Sequence, residues 1–202
     1  MLPFFALKGK GEQGMIYTDI HQIDGKYNLI LADPPWKQTK GGKRKVAPNT
    51  SGVALDYPTL SLADIKDHLK YVTENCADDN CIMFLWTIEK YLFEAEQILK
   101  DLGYKIRSRM IWDKMNGLPV AFTIRFGHEY LLYAYKGKMI PVAKEYRGKY
   151  LSVFHEPSKR HSQKPEYSYE MIENLYPNLN KLEMYARRKR LGWDSFGNEL
   201  VP

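Results

Sequence analysis

Tyr27-Asn28-Leu29-Ile30-Leu31-Ala32-Asp33-Pro34-Pro35-Trp36 is the stretch on which the fold of this 202-residue chain turns. A short apolar run, Tyr27 to Ala32, halts at a double proline. Such a run suits a strand buried on both faces of a parallel sheet. Proline, with φ fixed and no N–H, then takes the chain out of the ladder at once. Open α/β sheets gather their ligands beyond the carboxyl ends of strands, so Asp33, Pro34, Pro35 and Trp36 are the candidate catalytic residues.

Outward from this stretch, strand and helix patterns alternate. Lys37 to Asn49 carries Gly41-Gly42 and five basic residues, Lys37, Lys40, Lys43, Arg44 and Lys45, and reads as a loop. Ser61 with Asp64 signals a helix start, followed by Leu62, Ile65, Leu69 and Val72 at helical spacing. Cys81 to Trp86 reads as a second buried strand. Leu92, Ala95, Leu99 and Leu102 give another helix, which Gly103 terminates. Tyr104, Ile106, Met110 and Trp112 alternate with Lys105, Arg107, Arg109 and Ile111, as in a half-exposed strand. Glu129 to Tyr135 is a further strand. Pro165 to Tyr176 is a helix opened by its proline, and Leu182, Met184 and Ala186 alternate as a last strand. The interleaving predicts a three-layer α/β sheet, with residues 1–202 as one domain.

Composition narrows the function classes. A 44% hydrophobic, 13% aromatic and 27% charged chain can fill a core beneath an ordinary polar surface. A net charge of +6 favours a polyanionic partner, because Lys and Arg release counterions from phosphates. Cys76 and Cys81 are too few for a disulfide framework or a thiolate zinc site, and suit a reducing cytoplasm. The opening MLPFFAL lacks a basic lead-in and a cleavage site, and no apolar run approaches bilayer length, so neither export nor a membrane span is expected. The histidines, His21, His68, His128, His155 and His161, show no paired zinc spacing, and no metal is assigned. Gly9, Gly11 and Gly14 match a dinucleotide-binding pattern but precede a strand-like stretch, Met15 to Tyr17, instead of following one. That order argues against a nicotinamide enzyme.

Two acceptors at one strand tip suit a particular chemistry. An aromatic amine has its lone pair delocalised into the ring, and must localise it to attack a methyl group in line. The Asp33 carboxylate and the Pro34 carbonyl can each take one N–H, and neither competes as a donor. With an ordinary pKa of about 3.9, Asp33 is expected to be ionised near neutrality unless burial raises it. Its charge also favours a nearby sulfonium. Trp36 offers a flat face for an extruded base, worth about 1–3 kcal/mol in single-strand binders.

From about Tyr17 to Glu199 the chain resembles the MTA-type adenine methyltransferases, the family that includes the catalytic subunit of the eukaryotic messenger-RNA adenine methyltransferase. The matching pieces are YTDI (17–20), LADPPW (31–36), YPTLS (57–61), FLW (84–86), IWDK (111–114), GHEY (127–130), HSQKP (161–165), KLEMYAR (181–187) and GWDSFGNE (192–199). The resemblance implies a Rossmann-like, class I S-adenosylmethionine-dependent fold in permuted order, the catalytic strand before the main cofactor strand. It implies S-adenosyl-L-methionine as cofactor. Asp19 and Ile20 would hold its adenine, Lys164 its methionine carboxylate, and Arg187, Asn198 and Glu199 its ribose side, with Asp33 beside the sulfonium.

Arg187-Arg188-Lys189-Arg190 looks like the compact prokaryotic and phage branch, which shifts the expected substrate toward DNA and the location to a bacterial or phage-infected cytoplasm. That cluster and the 37–45 loop are candidate phosphate contacts. Lys37, Lys43, Arg44 and Tyr57 are the candidate substrate-binding residues. The expected reaction is methylation of the adenine exocyclic amine in DNA, with the same reaction on RNA as the alternative and a non-catalytic nucleic-acid-binding partner subunit as the reading of another class. Cytosine ranks third, since enzymes acting on it more often carry serine where Asp33 stands. A chain this short leaves little room for target recognition, so low sequence specificity or a homodimer that builds the groove jointly is expected.

Overall fold

The computed structural model describes residues 13–37, 59–115, 124, 126–158 and 163–200. Gly9, Gly11, Lys40, Lys43, Arg44, Lys45, Tyr57 and His161 lie outside the described residues. In chain order the strands and α-helices are β1 (Ile16–Tyr17), β2 (Tyr27–Ala32), α1 (Leu62–Asn75), β3 (Ala77–Thr87), α2 (Leu92–Asp101), β4 (Lys105–Asp113), β5 (His128–Lys136), β6 (Val153–His155), α3 (Glu166–Leu175), β7 (Lys181–Met184) and β8 (Trp193–Phe196). Among the described residues these eight strands form one sheet, ordered β1-β8-β7-β2-β3-β5-β4-β6. β1, β8, β7, β2 and β3 are mutually parallel. β5 runs antiparallel between β3 and β4, and β6 closes the far edge parallel to β4.

From Leu29 in β2 and Cys81 in β3 onward, the central strands alternate between two cores. Ile30 and Ala32 of β2, with Cys81, Met83 and Leu85 of β3, pack under Ile65, Leu69 and Val72 of α1 and Ala95, Ile98 and Leu99 of α2. Leu29 and Leu31, with Ile82, Phe84 and Trp86, pack under Tyr169, Met171 and Ile172 of α3. A strand sandwiched between helix layers must be apolar on both faces, and that explains YNLILA. The three-layer expectation holds.

Helix starts and stops follow the local chemistry. The Ser61 hydroxyl accepts from the Asp64 N–H at 3.2 Å while the Asp64 carboxylate accepts from the Ser61 N–H at 3.1 Å, a complete capping box. Gly103 sits at φ +82°, the left-handed turn that ends α2. Pro165 takes the N-cap position of α3.

Several boundaries differ from expectation. β3 begins at Ala77, because its polar lead-in is held from outside: the Asn28 amide donates to Asp78 at 2.9 Å. The Leu182–Ala186 stretch is not the last strand: β7 ends at Met184, and β8 follows it. Its Asp194 and Ser195 are buried, which hides the strand from hydrophobic patterning. Tyr27 donates to one Asp194 oxygen at 2.8 Å and the Met15 N–H to the other at 2.5 Å, so the buried carboxylate is satisfied, and the Ser195 N–H donates to the Met15 carbonyl at 2.9 Å. β6 was likewise not expected. No helix among the described residues is long and apolar enough to cross a membrane.

Candidate active site

The carboxyl ends of β2, β7 and β8 converge on Asp33. The Asp33 N–H extends the ladder to the Met184 carbonyl at 3.3 Å, and the two prolines then turn the chain so that the Trp36 N–H donates back to the Pro34 carbonyl at 2.8 Å. The Pro35 carbonyl accepts from the Leu60 N–H at 3.1 Å, pinning the turn to the start of α1. Pro34 therefore already spends one of its two carbonyl lone pairs, and one remains for a ligand.

On one side of Asp33 lies a cavity of about 510 Å³. Thr18, Asp19 and Ile20 form one wall, Tyr185, Ala186 and Arg187 another, and Phe196 to Glu199 a third. The Asp19 side chain accepts from the His21 N–H at 2.9 Å and caps a short 3-10 turn, Ile20–Gln22. His68 from α1 reaches the cavity, its Nδ1 lying 3.2 Å from the Tyr185 hydroxyl. Partial burial lowers its pKa, against the pull of Asp64 and Asp67. Gly197 lets the backbone close this wall: a Cβ there would stand 2.0 Å from the Ala186 carbonyl oxygen. A space of this volume suits a nucleoside-sized molecule. Asp19, Asn198 and Glu199 line it and could bond a ribose diol or an adenine edge.

On the other side of Asp33 is a recess of about 40 Å³, lined by Asp33, Pro34, Pro35, Trp36, Trp86, Thr87, Ile88, Glu129, Lys164 and Arg187. Its floor is an alternating row of charges. Lys164 Nζ lies 2.7 Å from Asp33 and 3.2 Å from Glu129, and Lys114 Nζ lies 2.6 Å from the other Glu129 oxygen. Only 9% of the Lys164 side chain is exposed, and its ammonium also sits 5.4 Å above the Trp86 ring. Burial disfavours its charge, but the carboxylates of Asp33 and Glu129 outweigh that and raise its pKa above the usual lysine range. Burial pushes Glu129 up, and the two lysines more than reverse it. Burial wins at Asp33: its pKa is raised despite Lys164, in part because Glu129 adds like charge. The ordinary carboxylate value expected of Asp33 is corrected accordingly.

Asp33, Pro35 and Arg187 line both cavities. The structure thus brings together Asp19, Ile20, Asp33, Arg187, Asn198 and Glu199 around the larger space, and Asp33, Pro34, Pro35, Trp36 and Lys164 around the smaller. Lys164, expected against a methionine carboxylate, lies between the carboxylates of Asp33 and Glu129 on the recess side. Trp36 is core, not an open platform: it is 5% exposed, Nε1 donates to the Trp86 carbonyl at 2.9 Å, and one ring face is stacked on Tyr91 at 5.3 Å. Lys37 is exposed just past it.

Arg188 and Arg190, two of the basic cluster expected at phosphates, are engaged in ion pairs. Arg188 pairs with Glu166 at 2.5 Å, Arg190 pairs with Glu166 and with Glu173, and both guanidinium groups lie over the Tyr169 ring. Glu129 and Lys114 were missed as site residues. Both fell inside quoted motifs, GHEY and IWDK, but nothing in one strand's sequence says that its end meets a lysine some 35 residues on. Among the described residues, no group of three or more His, Cys, Asp or Glu is placed to hold a metal ion.

Comparison with known proteins places this sequence in a family. The MT-A70 family matches residues 27–199. The Type II methyltransferase M.MunI of Mycoplasma sp. is 30% identical over 191 residues, covering 87% of this chain and 78% of that protein. The human N(6)-adenosine-methyltransferase catalytic subunit METTL3 is 27% identical over 198 residues, covering 92% of this chain and 31% of its own length. The Arabidopsis thaliana N(6)-adenosine-methyltransferase MT-A70-like protein is 28% identical over 203 residues, with 94% and 27% covered. The chain thus spans less than a third of these two eukaryotic relatives. The matched segment runs from the first residue of β2 to Glu199 and takes in the recess, the strand tip and every wall of the larger cavity except Thr18 to Ile20, and the chain belongs to the MT-A70 family of S-adenosyl-L-methionine-dependent methyltransferases.

Proposed function

We propose that this chain transfers a methyl group to the exocyclic amine of adenine in DNA, giving N(6)-methyladenine. The observation that carries the proposal is the shared wall: Asp33, Pro35 and Arg187 border a nucleoside-sized cavity on one side and a small polar recess on the other. Bound in the larger cavity, S-adenosyl-L-methionine would supply an electrophilic methyl group. Asp19 and Ile20 would hold its adenine, Asn198 and Glu199 its ribose, and the Asp33 carboxylate would face its positive end.

In the recess, the Asp33 carboxylate and the free lone pair of the Pro34 carbonyl accept the two N–H bonds of the target amine. Holding both aligns the nitrogen lone pair with the methyl group, and such alignment supplies a large share of the rate in group transfer. Lys164 and Glu129 hold the Asp33 carboxylate in place. Trp36, anchored through its Nε1 and Tyr91, fixes the turn that aims the Pro34 carbonyl.

DNA is favoured because the relative matched over most of its own length is a Type II methyltransferase, a class that acts on DNA. RNA is the second reading, favoured by the relatives named N(6)-adenosine-methyltransferase. Lys37, Lys43, Arg44 and Tyr57 remain the proposed substrate contacts. The single sheet formed by the described residues supports the reading of one domain over residues 1–202, and homodimerisation, which would build the substrate groove from two copies, stays part of the reading. The test offers labelled cofactor with single-stranded DNA, duplex DNA and RNA, and identifies the modified nucleoside by mass spectrometry after digestion. N(6)-methyldeoxyadenosine is expected. Label on cytosine alone, or on none of the three, overturns the proposal.

A further inference from the structure

We infer that Glu183 is a positioning residue for this transfer: buried beneath Asp33 on the same face of the sheet, it sets how readily the Asp33 carboxylate takes up the proton that methylation releases. The inference rests on the amine-transfer reading above.

The strand register places the two carboxyls. Leu31 of β2 is the Cα partner of Glu183 on β7. Alternation carries Asp33, two residues beyond Leu31, onto the face that Leu31 shares with α3, roughly 7 Å further along the strand. Lys164, which pairs with Asp33, lies over the ring of Trp86, a residue of that same face, and agrees with this placement. Glu183 is 4% exposed. The Tyr169 hydroxyl from α3 donates to its Oε1 at 2.6 Å, and its Oε2 has no hydrogen-bond partner among the described residues.

A buried carboxyl with an unmatched oxygen is costly, and the core would be more stable with an apolar side chain. Such a group calls for an explanation outside packing. The charged and titratable groups facing it are Asp33 beyond β2, Tyr169 on α3, and Arg188 and Arg190 after β7. From β8 it meets its register partner Ser195, which does not titrate. Burial pushes the Glu183 carboxyl up to about 7, and the Asp33 charge adds to the rise while Tyr169 and the two arginines oppose it.

The proton balance gives this carboxyl its role. The amine nitrogen forms a bond to the methyl carbon, and the carbon–sulfur bond breaks with its electron pair left on sulfur. The nitrogen then carries positive charge until one N–H bond breaks, its pair returning to nitrogen and its proton passing to the Asp33 carboxylate. A neutral Glu183 leaves Asp33 a weaker base. An ionised Glu183 adds negative charge beneath it, which raises its proton affinity and favours the positive charge arriving on nitrogen.

The test measures single-turnover methyl transfer at saturating cofactor and DNA across about pH 6 to 8. The wild-type rate is expected to rise through this range, and Glu183→Gln, which cannot ionise, to give a flat profile held at the low-pH level while binding cofactor normally. Tyr169→Phe removes the hydrogen bond that favours ionised Glu183, and should move the rise to higher pH. A Glu183→Gln profile that keeps the wild-type rise overturns the inference while leaving the amine-transfer reading intact. So does a flat wild-type profile. Should Glu183→Gln fail to fold, an unmoved rise in Tyr169→Phe overturns it equally. A wild-type protein that moves no methyl to adenine removes the underlying reading, and the inference with it.

Discussion

Replacing Asp33 by asparagine should separate catalysis from stability in one substitution. The side chains are nearly isosteric, so the turn at Pro34 and Pro35 keeps its shape, and the Asp33 N–H keeps the Met184 carbonyl. What changes is charge. The Asp33 pKa is raised in the folded protein by burial, with Lys164 only partly offsetting it, so the ionised form already works against folding. Removing one partner of a buried ion pair commonly costs about 3–5 kcal/mol. Here Lys164 keeps Glu129 at 3.2 Å, so the ammonium is not orphaned, and relief of the buried Asp33 charge acts in the stabilising direction. Unfolding free energy should change by no more than about 1 kcal/mol. Transfer should suffer far more, because an amide can present a donor where the amine needs an acceptor. Loss of one preorganised group facing developing charge typically costs about 10²–10³ in rate. Urea unfolding at pH 7 and single-turnover transfer at saturating cofactor read the two quantities independently. A variant that unfolds several kcal/mol more easily, or that transfers methyl within about threefold of wild type, would refute this account of Asp33.

Other expectations rest on the same buried charges and close contacts. Glu183, raised from its ordinary 4.5 to about 7, holds its proton longer in the folded state than in the unfolded chain. The stability this confers is complete below about pH 4.5 and is lost as pH rises through about 7, amounting to about 3 kcal/mol; Glu183→Gln should remove that loss in urea titrations across this window. Ser61→Ala breaks the capping box of α1 and should cost about 1 kcal/mol of unfolding free energy, with no change in cofactor affinity. Gly197→Ala must displace the Ala186 carbonyl, which a Cβ would approach to 2.0 Å, so calorimetry should show cofactor binding weakened at least tenfold, about 1.4 kcal/mol. Methylation of a randomised DNA pool should yield many short sequence contexts; one long strict site would contradict the expected low specificity.

How much was legible in the sequence depended on whether a residue's partner lay nearby. β2 and its terminal tetrapeptide were readable because burial on both faces forces an apolar run and two prolines stop it. The capping box of α1 and the left-handed Gly103 are local devices and were equally plain. β8 was not, since Asp194 is buried by virtue of Tyr27, 167 residues earlier, and periodicity carries no trace of that. Arg188 and Arg190 read as a basic cluster until α3 supplied Glu166 and Glu173. Trp36 read as a stacking surface, when its indole N–H and ring face were already engaged by Trp86 and Tyr91. Lys164 was found by family resemblance, but its pairing with Glu129 and Asp33 emerges only when β5 is laid antiparallel between β3 and β4.

The cavity proposed for the cofactor takes one wall from residues 18–20 and the facing walls from 185–187 and 196–199, with β1 paired to β8 behind them. A nascent polypeptide still on the ribosome displays the whole Asp33–Trp36 tetrapeptide while having nothing to seat a methyl donor. Domains tend to fold as units as they emerge, yet this seat can be assembled only once Trp193 to Glu199 have left the exit tunnel. A chain cut short before Trp193 lacks β8 and the wall from Phe196 to Glu199, and is expected to retain no methyl donor.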